Sequence, residues 1–406
     1  MERTAGNQLM VKENNQKFII DTLIQKGSTS RAELAKTLKL SAPSVSNNIN
    51  QLLKKKILLE IGEGDSIGGR RPILLQFNYN LGYIIGVDLT GQDLKVALSN
   101  LKPEIMELRT VNISNEKDGK RILKIITENI ADILEKNNLQ ADQLQAIVIG
   151  FPGVINEDNG KFIGLPLWVY VWDEINIREE IHKVFNVEVI IKNDINLAAL
   201  GESNFGVGRN YKNLVYVSIS MGVGAGIIIN HQLYEGIHLA AGEIGYLSSD
   251  IADINFDNSH MGPLESKVAI PGIINKVKKD LSSGVNSLIM RLVQGDAEHI
   301  DIKIIEEAIK QEDPYIMGEM ARIRDELGIR LANISTLLDL EVIILGGKII
   351  DLGYNFLDPL NEIISKLTPM KTRLIYSSLD QNAVLYGAFA MALEYIYHNI
   401  LNLNVG

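Results

Sequence analysis

One stretch near the middle of the chain, residues 214–246, limits the possible folds more than any other. Apolar and polar residues alternate over residues 214–220, which is the period of a half-buried strand. Gly222, Gly224 and Gly226 follow, and glycines let the backbone turn tightly into a second apolar run. The pattern predicts a β-hairpin with a bare bend that offers backbone N–H groups to an anion. The plainer interpretation is that the glycines serve only the turn.

A carboxylate follows the hairpin, because Glu243 stands between Gly242 and Gly245. This arrangement predicts a place for a polar ligand. The alternative is that Glu243 is simply solvated.

Composition indicates an ordinary globular protein of two or three domains, with 406 residues, 46% hydrophobic and 22% charged. The chain has no cysteine, which excludes disulfides and thiolate metal sites. Residues 1–12 lack the apolar core of a signal peptide, and no run of about 18 apolar residues occurs. We therefore expect a cytoplasmic protein that does not contact a membrane.

Charge is distributed unevenly along the chain. Residues 1–78 hold twelve Lys and Arg against seven Asp and Glu, a net charge of +5. Because the net charge of the whole chain is −10, the remainder carries −15. A basic head on an acidic body is expected where one end of a protein meets a polyanion.

Three helices are predicted in this basic head. The first ends at Gly27 after apolar residues at helical spacing. Ser30 and Glu33 have the spacing of a capping box for the second helix. Ser41 can cap the third, with Pro43 in its first turn, where a missing N–H is tolerated.

The third helix has an apolar stripe and an opposite side that we predict to be exposed, uncharged and rich in amides. Asn and Gln can pair with adenine in the major groove, and Ser can bond base edges or phosphate. The order of helices predicts a helix-turn-helix, although short helix pairs also occur in other helical domains. The predicted DNA-contacting residues on this helix are Ser44, Asn47, Asn48 and Gln51.

Two strands with a glycine-rich connection follow the three helices. The strands are predicted at Ile57–Ile61 and Ile73–Phe77, and Arg70 and Arg71 stand near the end of the connection, residues 62–72. This pattern predicts a wing whose arginines contact phosphates or a narrow minor groove. The alternative is that both arginines are solvated at a domain junction.

From residue 79 onward, strands alternate with helices, which predicts a layered α/β architecture. The strand Val187–Ile191 delivers Asn193 and Asp194 at its C-terminal end, where ligands gather in open α/β sheets. The alternative for Asp194 is a helix N-cap. Later predicted elements are the helices Lys267–Leu292, Pro314–Leu338 and Asn382–Tyr397 and the strand Val342–Leu345.

Five short motifs match those of a known family: residues 66–72, 193–196, 222–226, 242–245 and 346–347. In these motifs the chain resembles the ROK family (repressors, open reading frames and kinases), specifically the branch with an N-terminal winged helix, and within it the xylose-responsive repressors. The resemblance implies an actin-like, ribonuclease H-like, two-lobed sugar-kinase fold. The implied domains are a winged helix (1–78), a first α/β lobe (79–193, completed by 382–406) and a second lobe (194–381) with a dimerisation surface.

The resemblance also implies a sugar site in the cleft between the lobes. Asp194 corresponds to the general base of the kinases, Asn193 to a ligand of a sugar hydroxyl, and Glu243 and Glu265 to family carboxylates. Carboxylates suit sugars because each can accept two hydroxyl hydrogen bonds. We also assign Gly153 and Tyr246 to this predicted site.

Departures from the family pattern concern phosphate and zinc. The first phosphate loop reads Asp88-Leu89-Thr90-Gly91-Gln92, which lacks one glycine and the family's threonine, and Met221 replaces the threonine of the second. At the zinc segment, Tyr246 replaces a histidine, and Phe256, Asn258 and Pro263 replace cysteines. We therefore expect no zinc, no ATP and no enzymatic activity.

The predicted function is a sugar-responsive transcriptional repressor. A monosaccharide such as xylose or glucose would release a homodimer, or dimer of dimers, from a palindromic operator. The alternatives are an ATP-dependent sugar kinase that kept a DNA-binding domain, and a DNA-binding protein whose pocket is vestigial or binds a corepressor.

Overall fold

The computed structural model of the chain describes residues 3–64, 71–116, 118–156, 161–164, 175–248, 250–258 and 261–402. In this described part, no helix has both the length and the apolar character needed to cross a bilayer.

The N-terminal head combines three helices with a small antiparallel sheet. Strand β3 is central in that sheet, with the order β1-β3-β2. Apolar residues of all three helices, among them Leu23, Leu34 and Ile49, are fully buried. The three predicted helices and the two predicted strands are therefore confirmed, and residues 65–70 of the predicted wing lie outside the described residues. The elements are α1 (Arg3–Lys26), β1 (Thr29–Ser30), α2 (Arg31–Leu38), α3 (Ala42–Lys54), β2 (Leu58–Glu63) and β3 (Ile73–Phe77).

The next part of the chain forms a five-stranded sheet of order β10-β7-β4-β5-β6. In it β4, β7 and β10 are parallel, so their C-terminal ends share one edge of the sheet. Helices α4 and α5 cover one face through isoleucines such as Ile130 and Ile181. The elements are β4 (Tyr83–Asp88), β5 (Asp93–Asn100), β6 (Glu107–Asn112), α4 (Gly119–Lys136), β7 (Leu144–Phe151), β8 (Val154–Asn156), β9 (Lys161–Gly164), α5 (Ile177–Phe185) and β10 (Glu188–Asn193).

A second five-stranded sheet has the order β13-β12-β11-β14-β15, and β11 and β12 form the predicted glycine hairpin. Helices α8, α11 and α12 contribute buried residues to the core on one face of this sheet. The elements are α6 (Asp194–Asn204), β11 (Leu214–Ile219), β12 (Val223–Ile229), β13 (Gln232–Tyr234), α7 (Glu265–Val268), α8 (Ile270–Ser282), α9 (Ile289–Leu292), α10 (Ile302–Lys310), α11 (Pro314–Leu338), β14 (Val342–Gly346), α12 (Leu357–Leu367), β15 (Arg373–Tyr376) and α13 (Ala383–Asn399).

Helices α6 and α13 lie between the two sheets and pack closely on each other. A β-carbon at Gly387 of α13 would lie 1.7 Å from the carbonyl oxygen of Leu197 in α6. A β-carbon at Gly201 of α6 would lie 2.3 Å from the carbonyl oxygen of Ala383. Because only glycine permits this approach, the two helices form one tightly joined layer.

One predicted helix is wrong in extent. The segment 267–292 is divided into α7, α8 and α9 rather than forming one helix. Ala269 is extended, with ψ 152°, because it is the N-cap of α8, and Pro271 stands in the first turn of that helix. Gly284, with φ +94°, lies in the turn that separates α8 from α9.

Candidate functional site

The parallel strands β4, β7 and β10 bring Asp88, Gly153 and Asn193 to one edge of the first sheet. The Oδ1 atom of Asn193 accepts a hydrogen bond from the backbone N–H of Asn196 (3.0 Å), so Asn193 is the N-cap of α6. Its Nδ2 atom donates to the carbonyl oxygen of Gly153 (3.1 Å). The alternative of Asp194 as the N-cap is therefore wrong, because its neighbour holds that position.

Asp194 is buried at the first position of α6, and its partner is Thr90. The Thr90 hydroxyl donates to Oδ2 of Asp194 (3.1 Å), while the Thr90 backbone N–H donates to Oδ1 of Asp88 (2.9 Å). Burial raises the pKa of Asp194 to about 7, with a further contribution from the charge of Asp88. Burial also raises the pKa of Asp88. Near neutral pH, Asp194 can therefore accept a hydrogen bond from a hydroxyl group when it is ionised, or donate one to a hydroxyl group when it is protonated.

A second group of polar side chains lies beside the other sheet: Glu243 and Tyr246, which follow β13, and Glu265 at the start of α7. Oε2 of Glu265 accepts from the backbone N–H of Gly262 (3.3 Å). Partial burial raises the pKa of Glu265. Glu243 is exposed, in line with the alternative of a solvated side chain, although partial desolvation and the charge of Glu265 raise its pKa. Tyr246 is 51% exposed, and partial desolvation and both carboxylates raise its pKa. The group is acidic and open to solvent on one side.

The hairpin bend differs from the predicted bare anion site. A β-carbon at Gly222 would lie 2.7 Å from Oε1 of Glu265. On β12, β-carbons at Gly224 and Gly226 would each lie 2.4 Å from side chains of α6. The glycines thus make room for Glu265 and for helix α6, so the bend is not bare.

Both polar groups adjoin the start of β12 through residues that are next to them in the chain. Ile195 directly follows Asp194, and its Cδ1 atom is the side-chain atom that approaches Gly224. The carbonyl oxygen of Gly242 accepts from the backbone N–H of Ala225 (2.8 Å), which holds the segment carrying Glu243 against the same strand. The six predicted sugar-site residues therefore lie in two groups joined through β12.

In the head, helix α3 presents only part of the predicted set of residues. Asn47 and Gln51 are exposed and Ser44 is half-buried, but Oε1 of Gln51 accepts a hydrogen bond from Nε2 of Gln16 (3.0 Å). The predicted exposure of Asn48 is wrong: it is buried and donates to the carbonyl oxygen of Ser44 (2.9 Å). Asn48 lies on the side of α3 that contains the buried Val45 and Ile49, three residues before it and one after.

The basic wing residues are described in part. Arg71 is exposed, whereas Arg70 lies outside the described residues. On α3 the exposed side of Asn47 also includes Asn50, which the sequence analysis missed. Its spacing of three residues from Asn47 was the available signal.

The chain has the two-lobed α/β fold of sugar kinases, preceded by a head of three helices and a small antiparallel sheet. The chain belongs to the ROK family, whose profile matches residues 84–395. It is 30% identical to the xylose repressor of Caldicellulosiruptor bescii over 397 residues, which are 96% of this chain and 98% of that protein.

Solved structures show the same fold. A ROK family transcriptional regulator, a homologue of the Escherichia coli MLC protein, superposes with a TM-score of 0.79 at 24% identity, covering 97% of this chain and 99% of that one. A ROK family glucokinase from Streptomyces griseus, in complex with glucose and AMPPNP, superposes with a TM-score of 0.64 at 22% identity, covering 77% of this chain and all of that one.

Proposed function

We propose that this protein is a sugar-responsive transcriptional repressor that binds an operator through its head and a monosaccharide such as xylose or glucose between its lobes. One observation carries the proposal. The same chain contains an exposed helix that bears amide side chains and, in its α/β part, the two polar groups around Asp194 and Glu243. Similarity to proteins named xylose repressors over almost the full length of this chain supports it.

The chemistry of the site suits a neutral polyhydroxyl ligand. Asn193, Asp194, Glu243 and Glu265 supply several acceptors, and hydrogen bonds to charged groups contribute roughly 1.5–3 kcal/mol each. Asp194, with a pKa of about 7, can serve as donor or acceptor. An anionic ligand would instead meet three or four acidic side chains, which disfavours it electrostatically.

Binding of a nucleotide is disfavoured by the same geometry. Glu265 lies against Gly222, and its negative charge would repel a phosphate at the bend. The Ser220 hydroxyl already accepts from the backbone N–H of Lys348 (2.9 Å), and Thr90 is bonded to Asp194. We therefore assign no ATP-dependent step to this chain.

The segment that holds zinc in the family does not fit that metal here. Phe256 and Pro263 have no side-chain donor, and Tyr246 and Asn258 are poor ligands for zinc. Within this segment Asp253 instead pairs with Nζ of Lys267 (3.6 Å). Among the described residues no group of three or more potential metal ligands occurs.

A physical route connects the sugar site to the head. Helix α6 begins at Asp194 and packs against α13 through Gly201 and Gly387. The far end of α13 contacts the head, because the ring of Tyr397 lies 6.0 Å from the ring of Phe77. Two lysines of the head also donate hydrogen bonds to this region. Lys17 donates to the carbonyl oxygen of His398, and Lys55 donates to that of Leu401. A change in lobe closure would therefore move the support of the DNA-binding helices.

The proposed regulation is release of a dimer from a palindromic operator on sugar binding. A coupling of roughly 1–3 kcal/mol would weaken operator binding about 5- to 150-fold. The test is a gel-shift titration of the full chain with its operator in the presence of xylose, glucose and related sugars. Unchanged operator affinity with every sugar would contradict induction, and tighter binding would indicate a corepressor.

The second candidate is a sugar kinase with a DNA-binding head, and the buried Asp194 at the position of the kinase base favours it. A coupled assay of ADP release with the same sugars separates the two. Turnover that disappears in Asp194→Asn would replace the proposed function with the enzymatic one.

A further inference from the structure

An ion pair joins the edge strands of the two sheets beside the candidate site. Nζ of Lys192, on β10, lies 3.0 Å from both Oε1 and Oε2 of Glu235, which directly follows β13. The Lys192 side chain is 11% exposed and that of Glu235 is 25% exposed. A bidentate, half-buried pair is more strongly coupled than an exposed surface pair.

Each member of this pair is covalently close to candidate sugar ligands. Lys192 immediately precedes Asn193 and Asp194. The carbonyl oxygen of Glu235 accepts from the backbone N–H of Ala241 (3.0 Å), which closes the loop that leads into Glu243. The pair therefore spans the two segments that carry the two polar groups.

We propose that Lys192 and Glu235 are positioning residues for the sugar site, which fix the separation of Asn193 and Asp194 from Glu243. The inference rests on the proposed function. The pair itself is not a sugar ligand; it orders the ligands, so that its loss widens the range of their separations and lowers sugar affinity. If Lys192 is removed, the carboxylate of Glu235, 25% exposed, loses this counter-charge, which further disturbs the two segments.

A purely local role makes a different prediction. If Lys192 only neutralised the surface near β13, its substitution would change stability but not sugar affinity. The distinction requires a variant that keeps the charge, Lys192→Arg, and a cycle of Lys192→Met, Glu235→Gln and the double variant. Lys183→Met is the matched control, because Lys183 pairs with Glu180 on the exposed surface of α5, with side chains 65% and 46% exposed.

The experiment measures calorimetric affinity for xylose and glucose and amide hydrogen exchange of residues 235–243, using the full chain. We expect each single variant to weaken sugar affinity about tenfold and the double variant to lose no more than about twofold beyond that. Exchange of the segment should accelerate in both single variants. Lys192→Arg and Lys183→Met should remain within about threefold of the wild type in affinity.

Wild-type affinity and exchange in both single variants would overturn the pair's role, as would losses that multiply in the double variant. If the wild type bound neither sugar, the proposed function would be in error for these ligands. Hydrogen exchange would then decide alone: acceleration in both single variants but not in Lys192→Arg supports the positioning role, and unchanged exchange overturns it.

Discussion

Gly387 and Leu197 hold α13 and α6 in main-chain contact, at a separation that no residue with a β-carbon could maintain. This contact lies between the two sheets. Because the two main chains touch, a shift of one helix would displace the other, which is the property that the proposed coupling needs.

Substitution of Gly387 by alanine should therefore destabilise the protein. The added methyl group would have to push α13 away from α6, and overpacking of this kind typically raises the free energy of the folded state by about 1–3 kcal/mol. Gly318→Ala on α11 is the control, because nothing lies within 4 Å of that position. The control should gain roughly 0.5–1 kcal/mol from helix propensity, as measured by urea unfolding of both variants.

Asp194→Asn should make stability less dependent on pH. Burial, with help from Asp88, raises the folded pKa of Asp194 to about 7, whereas the unfolded value is 3.8. The folded state therefore keeps a proton that the unfolded state releases, and wild-type stability falls as pH rises from 4 through 7. The variant should gain an advantage that is absent near pH 4 and reaches about 2–4 kcal/mol at pH 8. Equal differences at both pH values in denaturant titrations would contradict the buried, protonated state.

Two neighbouring asparagines of α3 should behave differently. Asn47 is exposed, so Asn47→Ala should weaken operator binding by about 1–3 kcal/mol without changing the melting temperature. Asn48 is buried and bonded to Ser44, so Asn48→Ala should lower the free energy of unfolding by roughly 1 kcal/mol. Operator affinity of the folded Asn48→Ala variant should stay near that of the wild type. Fluorescence anisotropy with labelled operator and thermal melts provide both readouts.

Glu243→Ala should remove the response to sugar while operator binding stays intact. Loss of its charge-assisted hydrogen bonds should weaken sugar binding by roughly 1.5–3 kcal/mol, which raises the sugar concentration needed for release at least tenfold. Glu298→Ala is a suitable control, because that side chain is 86% exposed. Simultaneous loss of operator binding in Glu243→Ala would indicate a folding defect and contradict a role in the sugar site.

Tyr397→Ala should weaken the coupling between sugar and DNA. The Tyr397 ring contacts Phe77 of the head, and its hydroxyl donates to the carbonyl oxygen of Leu101 (3.3 Å). We expect sugar affinity and sugar-free operator affinity to remain within about threefold of the wild type, while the sugar-induced loss of operator affinity shrinks. Tyr395→Ala, at a 38% exposed position of the same helix, is the control. Undiminished release in Tyr397→Ala would exclude this contact from the route.

Local signals explain which elements the sequence could predict. Asp313 and Pro314 start α11 and Asp339, in the left-handed conformation, ends it, so its bounds follow from the residues alone. The segment 267–292 has comparable apolar periodicity, but Pro271 and Gly284 interrupt it. Those two residues should have outweighed the periodicity.

The candidate site was predictable where strand ends deliver residues, and unpredictable where distant segments meet. The position of Asn193 and Asp194 follows from the order of strand and helix. The Thr90 bond to Asp194 joins residues 104 positions apart, and Lys192 and Glu235 are 43 apart. No local pattern marks such pairs, because they depend on how the sheets pack against each other.

Glu265 at the hairpin bend has a consequence for what the protein can sense. A carboxylate in contact with Gly222 repels any ligand that carries a phosphoryl group, whether that group belongs to a nucleotide or to the sugar itself. We therefore expect the protein to respond to the free sugar and to ignore the phosphorylated form that metabolism makes from it. The output would then follow the supply of the nutrient rather than its consumption.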